Sequence, residues 1–302
     1  MKRYVGFTAV FAGLCFGQGA PGVPVKAIVT LEPRRGKDIP AIQAQDIAVE
    51  QGKKRRPVME LKPLGANDGL QLMLLLDDSA QGSFGTEIAT LKQWVNRMPA
   101  NAEVAVAYMR NGTAAVTAQF TKDHAAAANG IRLPVGAAGA DVNPYESLGD
   151  AIKKWPAGGA ARKIAVMVSS GIEGLGGGYS SDNPYVNAGI RAALQAGVVV
   201  YTVYSPSEGH AGHSLWRTTW GQNFLSQLSD ETGGESYAIG FGAPVSFQPF
   251  LDSIFQHLQH QYVLTFSARP EQKAGLQPVR IFIPEKDASI AAPGKVYVPA
   301  SL

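Results

Sequence analysis

The chain of 302 residues has little cysteine, little net charge and no long apolar run. Cys15 is its only cysteine, so the chain cannot form an internal disulfide. The formal net charge is only +3, which gives no general basic bias toward nucleic acid. No segment reaches the roughly 20 apolar residues of a transmembrane helix, so we expect no stable membrane insertion. These absences favour a globular protein whose partner is not a nucleic acid.

Familiar catalytic motifs are also missing. The sequence contains no Gly-x-Ser-x-Gly, no Gly-x-x-x-x-Gly-Lys-Ser/Thr and no His-Glu-x-x-His. A glycine-rich stretch at 174–178 lacks the register of a dinucleotide-binding turn. A serine hydrolase using Ser169 or Ser170 with His210 is formally open, but nothing in the sequence fixes that pairing. We therefore predict that the protein is not an enzyme.

The first residues have the pattern of a secretory signal. Lys2 and Arg3 precede an apolar stretch of about a dozen residues, and small glycines follow it. We predict that residues 1–19 are a signal peptide and that the protein is secreted or periplasmic. Cys15 lies inside this segment, and the large Leu14 before it disfavours a lipid anchor.

The segment that carries most information runs from Gly69 to Gly85. Leu70 to Leu76 is apolar except for Gln71, which predicts a central strand covered on both faces. The strand is followed at once by Asp77-Asp78-Ser79. In open α/β sheets, ligands bind at the carboxyl ends of the strands, so we expect a functional site there.

The rest of the middle of the chain alternates between predicted helices and strands. Helices are predicted for Phe84–Met98, Asp123–Ile131, Pro144–Trp155, Pro184–Ala196, Phe224–Thr232 and Ser246–Gln259. Strands are predicted for Ala102–Met109, Thr113–Phe120, Lys163–Ser169, Val198–Tyr204 and Ser236–Gly240. This alternation predicts an α/β fold with a mainly parallel sheet and helices on both faces.

The spacing Asp77-x-Ser79-x-Gln81 resembles the first loop of a von Willebrand factor A domain, which reads Asp-x-Ser-x-Ser. The order of elements after this loop is also similar to that family. The resemblance implies a Rossmann-like, doubly wound, mainly parallel sheet with one antiparallel edge strand. The short Arg110-Asn111-Gly112 connection is a hairpin signal and suits that edge strand.

The flanks on either side of this α/β part read as strands. Gln45 to Lys53 and Gln261 to Leu264 are similar to segments of secreted bacterial von Willebrand factor A-related proteins, common in Acidobacteria. Because neither flank is long enough to bury a core alone, we expect both to form one small β domain. The predicted boundaries are 20–66 and 261–302 for that domain and 67–260 for the α/β domain.

In the family, a metal-ion-dependent adhesion site binds a divalent cation through one Asp and two Ser of the first loop, a Thr of a second loop and an Asp of a third. The resemblance places Asp77, Ser79, Gln81, Asn143 and Ser170 at these positions. Three of the five depart from the family pattern, and only Asp77 is a carboxylate. We therefore expect the binding of Mg²⁺ or Ca²⁺ to be weak or absent. The alternative role for Asp77 is to accept hydrogen bonds from the backbone of the following loop.

Long loops at the same edge suggest recognition of a protein partner. The predicted loops are Gly171–Asn183 and Ser205–Thr219, and long loops in a compact domain tend to be functional. Trp and Arg are enriched at binding hot spots. The predicted partner-binding residues are Asp78, Asp141, Glu173, His210, His213, Trp216 and Arg217. The alternative for Trp216 and Trp220 is packing onto the core.

We therefore predict an extracytoplasmic, non-enzymatic binding or adhesion module that recognises a protein partner. The alternative is a structural or assembly subunit with a vestigial metal site. A separate basic cluster, Lys53 to Arg56, is interpreted as a solvated hairpin turn between strands Asp46–Glu50 and Pro57–Leu61. A polyanion or membrane-surface patch is the other reading of this cluster.

Overall fold

A computed structural model of the chain describes residues 22–34, 38–65, 67–80, 82–136, 143–158, 161–174, 176–206, 214–284 and 287–300. The predicted signal peptide, 1–19, lies outside these ranges. Within them, no helix combines the length and the apolar character needed to cross a membrane.

The central sheet has six strands in the order β10-β9-β8-β5-β6-β7. The strands are β5 (Leu70–Asp77), β6 (Glu103–Arg110), β7 (Thr113–Thr121), β8 (Arg162–Ser169), β9 (Val198–Tyr204) and β10 (Ser236–Tyr237). All neighbours pair in parallel except β6 and β7, which are antiparallel at the sheet edge. The predicted mainly parallel sheet with one antiparallel edge strand is confirmed.

In the described part of the chain, six α-helices cover both faces of this sheet: α1 (Ile88–Asn96), α2 (His124–Asn129), α3 (Pro144–Lys153), α4 (Pro184–Ala196), α5 (Leu215–Thr232) and α6 (Gln248–Gln259). Every residue of β5 is buried, as a strand covered on both sides requires. Leu72, Leu74 and Leu76 pack in a core with α1, α2 and α6. Met73 and Leu75 point the other way, into a core with α3, α4 and α5. The sheet is therefore doubly wound.

The two flanks form one β domain of two four-stranded sheets. The first sheet has the order β13-β1-β11-β4 and the second β14-β12-β2-β3. Their strands are β1 (Val23–Pro33), β2 (Ala48–Gln51), β3 (Lys54–Arg56), β4 (Val58–Pro63), β11 (Gln261–Ala268), β12 (Gly275–Phe282), β13 (Ala288–Ala291) and β14 (Lys295–Val298). Each sheet contains strands from both ends of the chain, with β1 paired to β11 in the first and β2 paired to β12 in the second, so the predicted pairing of the flanks is confirmed.

The predicted hairpin around Gly52 is present, but its turn is shorter than predicted and its second strand is a different one. The turn consists only of Gly52 and Lys53, both with positive φ, and Lys54–Arg56 is the strand β3 paired with β2. The next strand, β4, leaves for the other sheet and pairs with β11. The sequence pattern could not reveal this exchange, because β3 and β4 are separated by one residue, Pro57.

Two helix starts also differ from the prediction. A 3₁₀ helix, Gly82–Glu87, precedes α1, which begins at Ile88 rather than Phe84. Helix α5 begins at Leu215, so Trp216 and Arg217 lie in its first turn and not in a long loop. Ser214 caps this helix, and its side chain accepts a hydrogen bond from the Arg217 N–H. The sequence did not predict the first turns of α5, because they contain Thr and Gly, which are poor helix formers.

Candidate functional site

Asp77 ends β5 at the carboxyl edge of the sheet and is 1% exposed. Its Oδ1 accepts hydrogen bonds from the Ser79 N–H at 2.8 Å and the Ser79 hydroxyl at 2.7 Å. Its Oδ2 is buried and has no hydrogen-bond partner among the described residues. Burial raises the pKa of Asp77 above its ordinary value, although bonds from Ser79 and the Ser170 N–H oppose this shift. The alternative role of Asp77, as an acceptor for its own loop, is therefore present for one of its two oxygens.

Asp78 is held by the loop that follows α2. The Arg132 guanidinium donates to Asp78 Oδ1 at 2.8 Å, and the Val135 N–H donates to the same oxygen at 2.9 Å. Burial alone would raise the pKa of Asp78, but these bonds and the charges of Arg132 and Arg110 together place it below its ordinary value. Asp78 is 1% exposed, so it anchors this loop instead of presenting a carboxylate to a partner.

Asn143, at the predicted second-loop position, is the N-cap of α3 and is 1% exposed. Its Oδ1 accepts hydrogen bonds from the N–H groups of Tyr145 and Glu146, both at 3.1 Å. Its Nδ2 is buried without a partner among the described residues. The oxygen that was expected to bind a cation is therefore occupied by the helix cap. Gln81 and Asp141 lie outside the described residues.

Ser170 and Gly171 follow β8 and pack tightly against α5. Ser170 is 4% exposed, and its hydroxyl accepts a hydrogen bond from the Ile172 N–H at 3.4 Å. A Cβ at Gly221 of α5 would lie 2.2 Å from the Ser170 carbonyl oxygen, so only glycine fits there. Gly171 has φ +68 and its carbonyl accepts a hydrogen bond from the Tyr145 hydroxyl. These contacts bring α3, α5 and the loop after β8 together.

Glu173 organises the glycine-rich loop before α4. Its Oε2 accepts hydrogen bonds from the Gly177 N–H at 2.7 Å and from Asn183 Nδ2 at 3.5 Å. Asn183 in turn caps α4 through its Oδ1. Glu173 is only 5% exposed, so its position suits loop anchoring better than direct contact with a partner.

The described donors fit a divalent cation poorly. Mg²⁺ and Ca²⁺ prefer several anionic oxygens, and only Asp77 Oδ2 is an uncommitted carboxylate oxygen among the predicted ligands described. No group of three or more His, Cys, Asp or Glu side chains that could hold a metal occurs in the described part of the chain. Asn143 Nδ2 is a donor and adds no oxygen ligand for a cation.

The Asp77→Asn variant tests whether the Asp77 carboxylate holds a divalent cation. Because the folded pKa of Asp77 is raised, its contribution to stability is present below its ordinary pKa and is lost as the pH rises through the folded value. We expect Asp77→Asn to raise the free energy of unfolding at neutral pH by about 1 kcal/mol and to lose this advantage in acid. The free energy of unfolding of both proteins would be measured by urea unfolding with and without excess MgCl₂. Strong stabilisation of the unsubstituted protein by Mg²⁺, absent in the variant, would contradict this expectation.

Trp216 presents its ring to solvent at the start of α5. It is 59% exposed and lies against Tyr179, with ring centroids 4.2 Å apart. Trp220 lies one turn further along α5, where it contacts Phe224 and packs against the core. The alternative that the tryptophans pack onto the core is therefore correct for Trp220 and wrong for Trp216. Arg217 is exposed beside Trp216. His210 and His213 lie outside the described residues.

The carboxyl edge also carries exposed apolar side chains that the sequence did not single out. Of the nine large hydrophobic side chains that are exposed among the described residues, seven belong to segments at this edge. We call them the apolar rim: Leu133, Val135, Leu215, Trp216, Ile239, Phe241 and Val245. The loop that carries Ile239 and Phe241 is tied to β9 and α5, because Tyr204 donates to the Phe241 carbonyl and Gln222 to the Gly240 carbonyl. The rim therefore lies at the same edge of the sheet as Asp77.

No protein-family model matches the sequence, and no curated protein matches it. Similar solved structures include an aerotolerance-related membrane protein from Bacteroides fragilis, with 15% identity, a TM-score of 0.46, and coverage of 63% of this chain and 98% of that chain. The vWF domain of the type V pili tip protein Mfa5 from Porphyromonas gingivalis has 13% identity, a TM-score of 0.46, and coverage of 63% and 94%. The PilB minor pilin from Streptococcus sanguinis has 14% identity, a TM-score of 0.42, and coverage of 66% and 63%.

These likenesses are distant and carry no argument about function. The fold rests on the architecture itself. The strand order, the antiparallel edge strand and the helices on both faces give the α/β domain the doubly wound fold that the resemblance to von Willebrand factor A domains implied.

Proposed function

We propose that the protein is an extracytoplasmic, non-enzymatic binding module whose α/β domain docks a protein partner at the carboxyl edge of its sheet, with weak or absent dependence on a divalent metal. The observation that carries the proposal is the apolar rim. Monomeric soluble proteins rarely expose large contiguous apolar surface, and such surfaces mark interaction sites. Seven of the nine exposed large hydrophobic side chains described lie in these edge segments.

The composition of the rim suits a protein partner. Aromatic residues and arginine are enriched in protein interfaces, and hot spots tend to be Trp, Tyr or Arg. Trp216 with Arg217 provides such a pair at the start of α5, and Tyr179 supports the Trp216 ring. The two carboxylates that directly follow β5 are buried, and Asp78 is paired with Arg132. The apolar rim, rather than Asp77 or Asp78, therefore supplies the proposed contact surface.

Site-specific photo-crosslinking in cell envelopes tests this proposal. A photoreactive phenylalanine analogue placed at Val245, which is fully exposed, should give a discrete crosslinked protein. The matched control is the same analogue at Met59, a 60% exposed side chain on β4 of the β domain, which should not capture that protein. Equal capture at both positions, or capture only at Met59, would refute docking at the carboxyl edge.

A further inference from the structure

The β domain contains a cleft of about 820 Å³ at the end of its sandwich. Its walls come from β2 and β3 with their turn, from the segment that joins β11 to β12, and from the start of β12. The residues that matter here are Gln51, Lys54, Arg56, Arg269, Glu271 and Lys273. The cleft thus includes part of the basic cluster that the sequence singled out and that partner docking at the carboxyl edge does not use.

The cleft is strongly cationic. Lys54, Arg56, Arg269 and Lys273 line it, against the single carboxylate of Glu271. None of these four cations has a carboxylate within ion-pair distance among the described residues. Arg269 and Lys273 are more than 200 residues from the basic cluster, so only the fold brings these charges together. Such a concentration of one charge sign in a concave surface attracts and focuses anions.

Only one face of β3 contributes cations to the cleft, as the neighbouring Arg55 shows. Successive side chains of a strand point to opposite faces. Arg55 therefore points away from the cleft, where it lies 3.4 Å from Glu50 and over the Phe282 ring at 4.8 Å. Arg280 makes the same two contacts on that outer face. The two outer arginines share the carboxylate of Glu50, whereas Lys54 and Arg56 on the cleft side have no ion-pair partner among the described residues.

Two donors in the cleft wall lack acceptors. The Arg269 N–H donates to Gln51 Oε1 at 2.7 Å and the Arg269 carbonyl accepts from Gln51 Nε2 at 3.0 Å, which fixes the orientation of the Gln51 amide. Gln51 Nε2 also donates to Gln277 Oε1, which fixes the second amide. Gln277 Nε2 and Arg56 Nε are therefore left buried without an acceptor among the described residues. The cations that line this wall are complementary to oxyanions.

We propose that this cleft binds a compact, multiply charged phosphate compound, such as an oligophosphate or a small molecule with several phosphate groups. The cleft volume lies within the range of about 300–1,000 Å³ that is typical of small-molecule sites. Guanidinium groups match phosphate oxygens in bidentate geometry, and the lysines add point charges. The described residues that line the cleft include no aromatic side chain on which nucleic-acid bases would stack. The site belongs to the β domain and is independent of docking at the carboxyl edge.

Calorimetric titration with sodium tripolyphosphate at low ionic strength tests the proposal. We expect saturable binding with one site per chain that weakens as salt is added. Arg56→Gln and Lys273→Gln should each weaken it about 5- to 10-fold, because each removes one charge-assisted contact. Arg55→Gln is the matched control. It removes the same charge one residue away on the outer face and should change the affinity less than about twofold.

Three results would overturn the proposal. One is no saturable binding of tripolyphosphate. Another is an equal loss in Arg55→Gln and Lys273→Gln, which would mean diffuse attraction to the whole basic strand. The third is capture by phosphatidylglycerol vesicles without binding of tripolyphosphate, which would mean a membrane-facing patch. If Arg56→Gln does not fold, the exposed Lys273 decides the question through its own variant.

Discussion

Replacing Arg132 with glutamine is expected to lower the free energy of unfolding by about 2–3 kcal/mol at neutral pH. The substitution removes the guanidinium that lies 2.8 Å from the carboxylate of Asp78 and leaves that carboxylate buried with the Val135 N–H as its one donor among the described residues. It also removes the guanidinium from the Tyr108 ring, 3.9 Å from its centroid. The expected loss is smaller than for a fully buried pair, because the Arg132 side chain is 34% exposed.

The loss of stability in Arg132→Gln is also expected to depend on pH. The pKa of Asp78 is lowered in the folded protein, so the pair stabilises the fold above the ordinary aspartate pKa of about 3.9. This stabilisation is lost as the pH falls through the lower folded value. The difference in the free energy of unfolding between Arg132→Gln and the unsubstituted protein, measured by urea unfolding, should therefore become smaller in acid.

Arg97→Gln is a matched control for Arg132→Gln. Arg97 pairs with Asp252 at 2.6 Å and also lies over an aromatic ring, that of Phe255, but both partners of the pair are more than 40% exposed. Exposed pairs contribute roughly 0–1 kcal/mol, so we expect a small loss. Equal losses in the two variants would contradict the view that buried Asp78 depends on Arg132.

Trp216→Ala is expected to weaken the docking of the partner about 30-fold, or by about 2 kcal/mol, as for a central aromatic hot spot. Because the Trp216 side chain is 59% exposed and contacts mainly Tyr179, the fold should lose little stability. The affinity would be measured by titrating the protein captured from Val245 against purified variants. Binding and unfolding measured on the same preparation separate recognition from stability.

Tyr297→Ala is the control for this substitution. Tyr297 is a 47% exposed aromatic side chain on β14 of the β domain, away from the apolar rim. Its removal should leave the affinity unchanged. An unchanged affinity in Trp216→Ala, or an equal loss in Tyr297→Ala, would exclude Trp216 from the docking surface.

The sequence predicted the architecture well because the relevant signals are local. Apolar runs identify β5 and β8, and alternation with amphipathic helices implies a doubly wound sheet. Asn183 with the following proline and the Gly197 cap mark α4 at both ends. The exchange of β4 into the other sheet of the β domain has no such local signal, because pairing with β11 depends on a strand about 200 residues away.

The site was harder to predict because its geometry depends on distant residues. Asp78 was expected to face a partner, but its role is set by Arg132, 54 residues further along the chain. Asn143 was expected to offer an oxygen to a cation, but it caps α3 instead. The apolar rim has no periodic pattern, and a sequence does not reveal which loop side chains are exposed. A resemblance to the adhesion-site loop drew attention to Asp77 and away from Phe241 and Val245.

Amide hydrogen exchange of the chain, alone and with the partner captured from Val245, tests the central claim most directly. Docking at the carboxyl edge predicts protection in the segments that carry the apolar rim, at 133–135, 215–217 and 239–245. The β domain should exchange at the same rate in both states. Protection confined to the β domain, with unchanged exchange in the rim segments, would contradict the claim.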